Sequence, residues 1–134
     1  MSQSQPLHVA PRPCTTCPYR RDTPAGIWAP EEYEKLARYD DEPLLATFLC
    51  HQTNATGIPT ACRGWLSVHC ESVAARMAVM QGRVTNDQRY AEVDVDLYAN
   101  GREARDAGMA GVEHPDEAAQ RAMDRLLARR AGQR

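Results

Sequence analysis

The sequence has few large apolar side chains and no long apolar stretch. Its 134 residues include one phenylalanine, and many of the 43% that are apolar are alanines. A chain of this length suggests one domain, but so few bulky side chains allow only a small hydrophobic core. No segment approaches the roughly 20 apolar residues that cross a bilayer, and residues 1–13 lack the apolar run of a signal peptide. We therefore expect a small cytoplasmic domain with no membrane association.

A strong excess of positive charge is also missing. The formal net charge is -2, which excludes a global basic field that would recruit nucleic acid, although a local basic patch remains compatible with it. We find no serine–histidine–acid set, no internal repeat and no motif for a small-molecule substrate. The sequence therefore favours a binding or regulatory module over an enzyme, with a protein or nucleic-acid partner that it does not specify.

Cysteine is well represented, with five residues in a chain expected to lie in a reducing compartment. Cys14 and Cys17 form a Cys-x-x-Cys pair, whose tight turn can direct both sulfurs to one point. Two thiolates rarely hold a metal alone, and Cys50 and Cys62 are the remaining candidates for a four-ligand site. We therefore predict that these four cysteines bind one metal centre that stabilises the small core.

Other potential ligands fit the pattern less well. His51 could replace one sulfur, but adjacent residues of a strand face opposite sides, so we prefer Cys50. His69 lies close to the candidate site in sequence, off the apolar stripe of a predicted helix. Cys70 lies on that stripe and is predicted to be a small core residue.

Three chemistries remain open for the four cysteines. A structural zinc ion is favoured, because four thiolates satisfy its tetrahedral geometry. A [4Fe-4S] cluster used in redox sensing or electron transfer is the alternative, since Cys17 is followed by proline, as at some cluster sites, and Trp28 and Trp65 could cover a cluster. The second alternative is a thiol-disulfide oxidoreductase in which Cys14 is the nucleophile and Cys17 the resolving thiol. In that reading Pro59 would be the cis-proline of a thioredoxin-like site.

Three motifs follow one another in the first half of the chain: Cys14-x-x-Cys17-Pro18-Tyr19-Arg20 with Asp22 and Pro24, Phe48-x-Cys50-His51, and Cys62-x-Gly64-Trp65-Leu66. As an ordered set they resemble an uncharacterised family of small four-cysteine proteins of actinobacteria and their phages. The resemblance implies that the four cysteines act together, with His51 as a further candidate, and it implies no activity. A looser similarity to WhiB-like iron–sulfur regulators is limited to residues 17–20 and 26–28.

The predicted fold is α+β and mainly helical, a small single domain with at most short strands. Residues 1–12 are predicted to be a disordered arm, 13–130 the metal-stapled domain and 131–134 a frayed tail. Hydrophobic periodicity and capping signals predict helices at 30–39, 67–81, 102–109 and 113–130. The short apolar run at 44–49 predicts a strand or a buried turn, and alternation predicts a strand at 93–97. Asn100-Gly101 is typical of a turn. We expect Arg20 and Arg21 to be solvated.

Overall fold

The computed structural model describes residues 6–41, 47–50 and 57–131. Within these residues the fold is mainly helical, with one small sheet, as the sequence predicted. None of the helices found there is long and apolar enough to cross a membrane. The elements are β1 (His8–Val9), α1 (Pro30–Arg38), β2 (Thr60–Ala61), α2 (Arg63–Val68), α3 (Val73–Met80), α4 (Asn86–Arg89), α5 (Gly101–Met109) and α6 (Glu117–Ala131).

Helix α1 forms where the sequence predicts it. Proline occupies its first position, where no amide hydrogen is needed, and Glu31 and Glu32 lie in the first turn, where the helix dipole favours negative charge. The buried face of the helix consists of Tyr33, Leu36 and Ala37. This face packs closely against α5, and the two helices make the main helix–helix contact among the described elements.

Two glycines of α5 allow this close approach. A Cβ atom at Gly101 would lie against the backbone carbonyl of Leu36, and one at Gly108 would lie against the Tyr33 ring. The ring cannot easily move aside, because the Tyr33 hydroxyl accepts hydrogen bonds from the amides of Ile27 and Trp28, at 3.0 and 3.3 Å. The α1–α5 contact is therefore fixed by side chains and by the loop that precedes α1.

A small sheet brings distant parts of the chain together. Strands β1 and β2 pair in parallel, with His8 opposite Thr60. Leu49 pairs with Ala61 of β2 in an antiparallel bridge. Because Leu7 is buried and β1 follows it, part of the segment predicted as a disordered arm belongs to the fold.

The helix predicted at residues 67–81 is wrong in its extent. The structure has two helices, α2 and α3, separated by a turn at residues 69–72. Ser72, rather than Ser67, caps the second helix by accepting a hydrogen bond from the Ala75 amide. Apolar residues keep a helical spacing across the turn at residues 69–72, so hydrophobic periodicity alone could not reveal the break.

Three further local predictions are corrected. Residues 93–97 form no strand, and only Leu97 makes an isolated bridge, to Arg20. Asn100 is the cap of α5 rather than part of a free turn, since its side chain accepts from the Glu103 amide. Helix α6 begins at Glu117, four residues later than predicted. Most of the strand or buried turn expected at residues 44–49 lies outside the described residues.

Candidate metal centre

Cys17 and Cys62 form a buried pair of thiols in the core. Their residues are 2% and 3% exposed, and their Sγ atoms lie 3.9 Å apart. A disulfide would place the two sulfurs at about 2.05 Å, so the thiols are not bonded to each other. Two thiolates on one tetrahedral zinc ion, each about 2.3 Å from the metal, would lie about 3.8 Å apart. The separation of the pair is that of two thiols in contact, and it is also compatible with two ligands of a single ion.

The turn that carries Cys14 and Cys17 is held by hydrogen bonds from its neighbours. The Cys17 amide donates to the Cys14 carbonyl at 3.0 Å, which closes the turn. The indole of Trp28 donates to the Thr16 carbonyl at 2.9 Å, and the Thr23 hydroxyl donates to the Cys17 carbonyl at 2.7 Å. These hydrogen bonds fix the backbone of both cysteines.

Arg20 also supports this turn, so the prediction that it is solvated is wrong. Its side chain is only 11% exposed and donates to the Pro13 carbonyl at 3.0 Å. It also makes a two-pronged ion pair with Asp22, at 2.7 and 2.8 Å. Arg21 is more exposed and pairs with Glu103 on the surface. The two arginines are adjacent in sequence, and only their contacts distinguish a supporting residue from a solvated one.

Strand pairing brings Cys50 to the same region as Cys62. The Cys50 amide donates to the Thr60 carbonyl at 2.7 Å, and the Cys62 amide donates to the Phe48 carbonyl at 2.9 Å. Each cysteine is therefore one residue from the bridged pair of Leu49 and Ala61. Since side chains alternate along a strand, both cysteines lie on the same face of this pairing.

All four predicted cysteines line one cavity of about 270 Å³. Cys14 and Cys50 are half-buried at its wall, whereas Cys17 and Cys62 are buried. Among the described residues, no group of three or more His, Cys, Asp or Glu side chains has the geometry of an assembled metal site. The structure therefore gathers the four cysteines around one space without closing them on one point. His51, the possible substitute ligand, lies outside the described residues.

The electrostatics of the buried pair keep Cys62 protonated when no cation is present. Its contact with the Cys17 sulfur, together with burial, raises the pKa of the Cys62 thiol well above its ordinary value. The Trp65 amide donates to the Cys62 sulfur at 3.4 Å and opposes this effect only in part. A positively charged ligand is what would favour the thiolate form here.

Aromatic rings exclude water from the inner side of the pair. Tyr19 is fully buried and meets the ring of Phe48 edge-on, with 6.0 Å between centroids. Tyr39 contacts Phe48 at 4.8 Å and Trp65 at 6.5 Å. Burial raises the pKa of the Tyr19 phenol far above its ordinary value, so this group remains neutral. The surroundings are therefore apolar, which strengthens electrostatic interactions at the sulfurs.

His69 and Cys70 are not part of this arrangement. The Nε2 atom of His69 lies 2.7 Å from Asp40 Oδ1, and the same carboxylate accepts from the Gly101 amide at 2.7 Å. Cys70 lies in the turn between α2 and α3, half-buried, rather than on a continuous helical stripe. Neither residue lines the cavity. Asp40, which follows α1, thus connects His69 to the start of α5.

Sequence reasoning missed Gly64 and Arg63, which follow Cys62 directly. A Cβ atom at Gly64 would lie 2.7 Å from the Cys17 sulfur and 2.9 Å from Tyr19 Cβ, so only glycine leaves room for that sulfur. Arg63 is 3% exposed and lines the cavity. The available signal was the glycine two residues after Cys62. Glycine is unfavourable inside a helix, so its presence there indicates that another group approaches the backbone closely.

Gly64→Ala is expected to weaken metal binding by displacing the Cys17 sulfur. The added methyl group cannot be accommodated, because Tyr19 blocks one side and the Cys62 sulfur lies 3.9 Å from that of Cys17. We expect zinc affinity to fall on the order of 10-fold, comparable to the loss of a supporting contact at a metal site. Competition with a chromophoric chelator measures this. Met80→Ala is the control, since Met80 is 82% exposed and does not line the cavity, and its affinity for zinc should be unchanged.

Comparison with known proteins gives a family but no activity. No curated protein and no solved structure matches the chain significantly. A family model matches residues 9–130, a range that contains all four cysteines of the cavity. The resemblance to an uncharacterised family, inferred from the cysteine motifs, is thereby confirmed at the level of the family. The chain belongs to DUF6283, a family of unknown function.

Proposed function

We propose that the chain is a small metal-binding module in which Cys14, Cys17, Cys50 and Cys62 hold one structural zinc ion. The observation that carries this proposal is the 3.9 Å separation of the Cys17 and Cys62 sulfurs, close to the roughly 3.8 Å edge of a zinc–thiolate tetrahedron. The buried pair is half of the site. Cys14 and Cys50, which line the same cavity, would complete it.

The zinc ion would compensate for a small core. The two buried thiols lie within the main hydrophobic cluster, where they contact side chains from several parts of the chain. A metal that joins the N-terminal turn to the Leu49–Ala61 pairing would therefore connect segments that are far apart in sequence. Because such a site forms only in the folded chain, its binding free energy stabilises the fold.

A [4Fe-4S] cluster is the second candidate, and the size of the cavity favours it. About 270 Å³ is much more than one ion requires, given that a water molecule occupies about 30 Å³ of the liquid. Against it, the four thiolates of such a cluster bind four different irons and lie farther apart than ligands of one ion. The 3.9 Å separation of the Cys17 and Cys62 sulfurs therefore favours zinc over the cluster.

A cytoplasmic location and a binding role complete the proposal. Five free cysteines suit a reducing compartment, where thiols remain available to a metal. A closed four-ligand centre leaves no position for a substrate, so we assign it a structural role rather than catalysis. The partner would be a protein or nucleic acid that meets an exposed helical surface. Met80 of α3 and Leu127 of α6 are large apolar side chains on such surfaces, 82% and 64% exposed.

Metal analysis of the chain purified without added metal tests this function. We expect a colourless protein with about one zinc ion per chain. A brown protein that contains iron and absorbs visible light under anaerobic conditions would select the cluster instead. A chain that carries neither metal, and that takes up none when zinc is added under reducing conditions, would overturn the proposal.

A further inference from the structure

Arg63 is a buried cation beside the cysteine cavity. It is the first residue of α2 and directly follows Cys62. The residue is 3% exposed and lines the cavity together with all four cysteines. Burial of a charged side chain is costly unless an opposite charge lies nearby, so the position of this guanidinium requires an explanation.

The contacts of Arg63 supply no negative charge. Its Nη1 donates to the Gln88 carbonyl at 2.6 Å, and its Nε donates to the Ser67 hydroxyl at 3.1 Å. Both acceptors are neutral. The third nitrogen, Nη2, is buried and has no hydrogen-bond partner. No carboxylate lies within ion-pairing distance of Arg63 in the part of the chain that the structure describes.

Two other arginines with little exposure have the carboxylate that Arg63 lacks. Arg20 pairs with Asp22 at 2.7 Å, and Arg89 pairs with Glu71 at 3.1 Å. Arg63 differs from both in lining the cysteine cavity. No Asp or Glu is among the described residues that line this cavity, whereas four cysteines are. The sulfurs are therefore the groups from which a compensating negative charge can come.

We propose that Arg63 is the counter-cation of the metal centre, an inference that rests on the proposed function. Four thiolates and one divalent zinc ion carry a net charge of -2, because each thiolate contributes -1. The guanidinium neutralises part of this charge inside an apolar region, where the interaction is strong. Arg63 thereby raises metal affinity without being a ligand. This role also explains why a charged residue occupies a buried position next to Cys62.

The hydrogen bonds of Arg63 hold its charge in place. Ser67 lies one turn further along α2, and Gln88 belongs to α4, so the guanidinium is anchored to two helices. Glutamine at this position keeps polar hydrogen-bond donors but removes the charge. Lysine keeps the charge but not the planar fork of donors. The two substitutions therefore separate the contribution of charge from that of anchoring.

The test measures zinc affinity of the full chain by competition with a chromophoric chelator under reducing conditions. We expect Arg63→Gln to bind zinc about 10- to 100-fold more weakly than the wild type, as on loss of other supporting groups around a metal. Arg63→Lys should retain more affinity than Arg63→Gln. Arg89→Gln is the matched control, because Arg89 is also buried and anchored but does not line the cavity, and it should leave affinity unchanged.

A second measurement tests whether each variant still folds and still forms the four-sulfur site. Each variant is loaded with excess cobalt(II), whose visible spectrum reports the ligand set, and should show the four-sulfur spectrum of the wild type. Equal zinc affinity of Arg63→Gln and wild type would overturn the role of Arg63 alone. So would equal losses in Arg63→Gln and Arg63→Lys, or equal losses in Arg63→Gln and Arg89→Gln. A wild-type chain that binds no zinc would overturn the proposed function as well.

Discussion

Cys17→Ser is expected to abolish stoichiometric zinc binding. The residue contributes one sulfur of the buried pair, and a serine hydroxyl neither ionises at neutral pH nor offers zinc the soft sulfur ligand that suits it. The loss should exceed the roughly 10- to 100-fold that follows removal of a supporting group around a metal. Metal content after purification, and zinc affinity by chelator competition, measure the effect. Cys62→Ser should behave in the same way.

Cys70→Ser provides the control for this prediction. Cys70 is a half-buried cysteine of the same chain, but it lies outside the cavity that the other four line. We expect this variant to retain about one zinc ion per chain and the affinity of the wild type. Equal metal loss in Cys17→Ser, Cys62→Ser and Cys70→Ser would show that the assignment of ligands is incorrect.

Gly108→Ala is expected to destabilise the fold, against the intrinsic preference of a helix. In an open helix, alanine in place of glycine would stabilise by about 1 kcal/mol. At this position the new Cβ would overlap the Tyr33 ring, which is fixed by its hydrogen bonds to the Ile27 and Trp28 amides. Overpacking of this kind costs typically about 1–3 kcal/mol, and we expect a value near the upper end.

Denaturant unfolding followed by circular dichroism measures the free energy of unfolding, which we expect Gly108→Ala to lower. A second variant locates the cause, since Tyr33→Leu removes the ring that the methyl group would meet. In the Tyr33→Leu background, Gly108→Ala should cost less than in the wild type, because residues in contact do not act additively. A stabilising effect of Gly108→Ala in the wild-type chain would show that α1 and α5 do not pack as described.

The sequence predicted α1 because the signals for that helix are local. Pro30 with the following glutamates marked the start of α1, and the structure begins the helix there. The break between α2 and α3 was missed, because its apolar spacing resembles that of one continuous helix. Asn100 was assigned to a turn, because a capping residue and a turn residue share the same chemistry, and only the contact with Glu103 distinguishes them.

The candidate site was predictable in its cysteines but not in its supporting residues. Cys-x-x-Cys spacing indicates a shared centre, and the structure brings Cys50 and Cys62 to the same cavity. Nothing local distinguished Arg63 from a solvated arginine, because it is buried by contacts with distant residues, including its hydrogen bond to the Gln88 carbonyl. Gly64 was likewise missed as a supporting residue. Its role depends on the approach of Cys17, a residue that is 47 positions earlier in the sequence.

X-ray absorption at the zinc edge tests the central claim most directly, because it counts the ligands and measures their distances in the folded chain. For the zinc-loaded protein we predict four sulfur neighbours at about 2.3 Å and no nitrogen or oxygen neighbour. A shell dominated by nitrogen and oxygen, or one with two sulfurs or fewer, would contradict a centre built from Cys14, Cys17, Cys50 and Cys62.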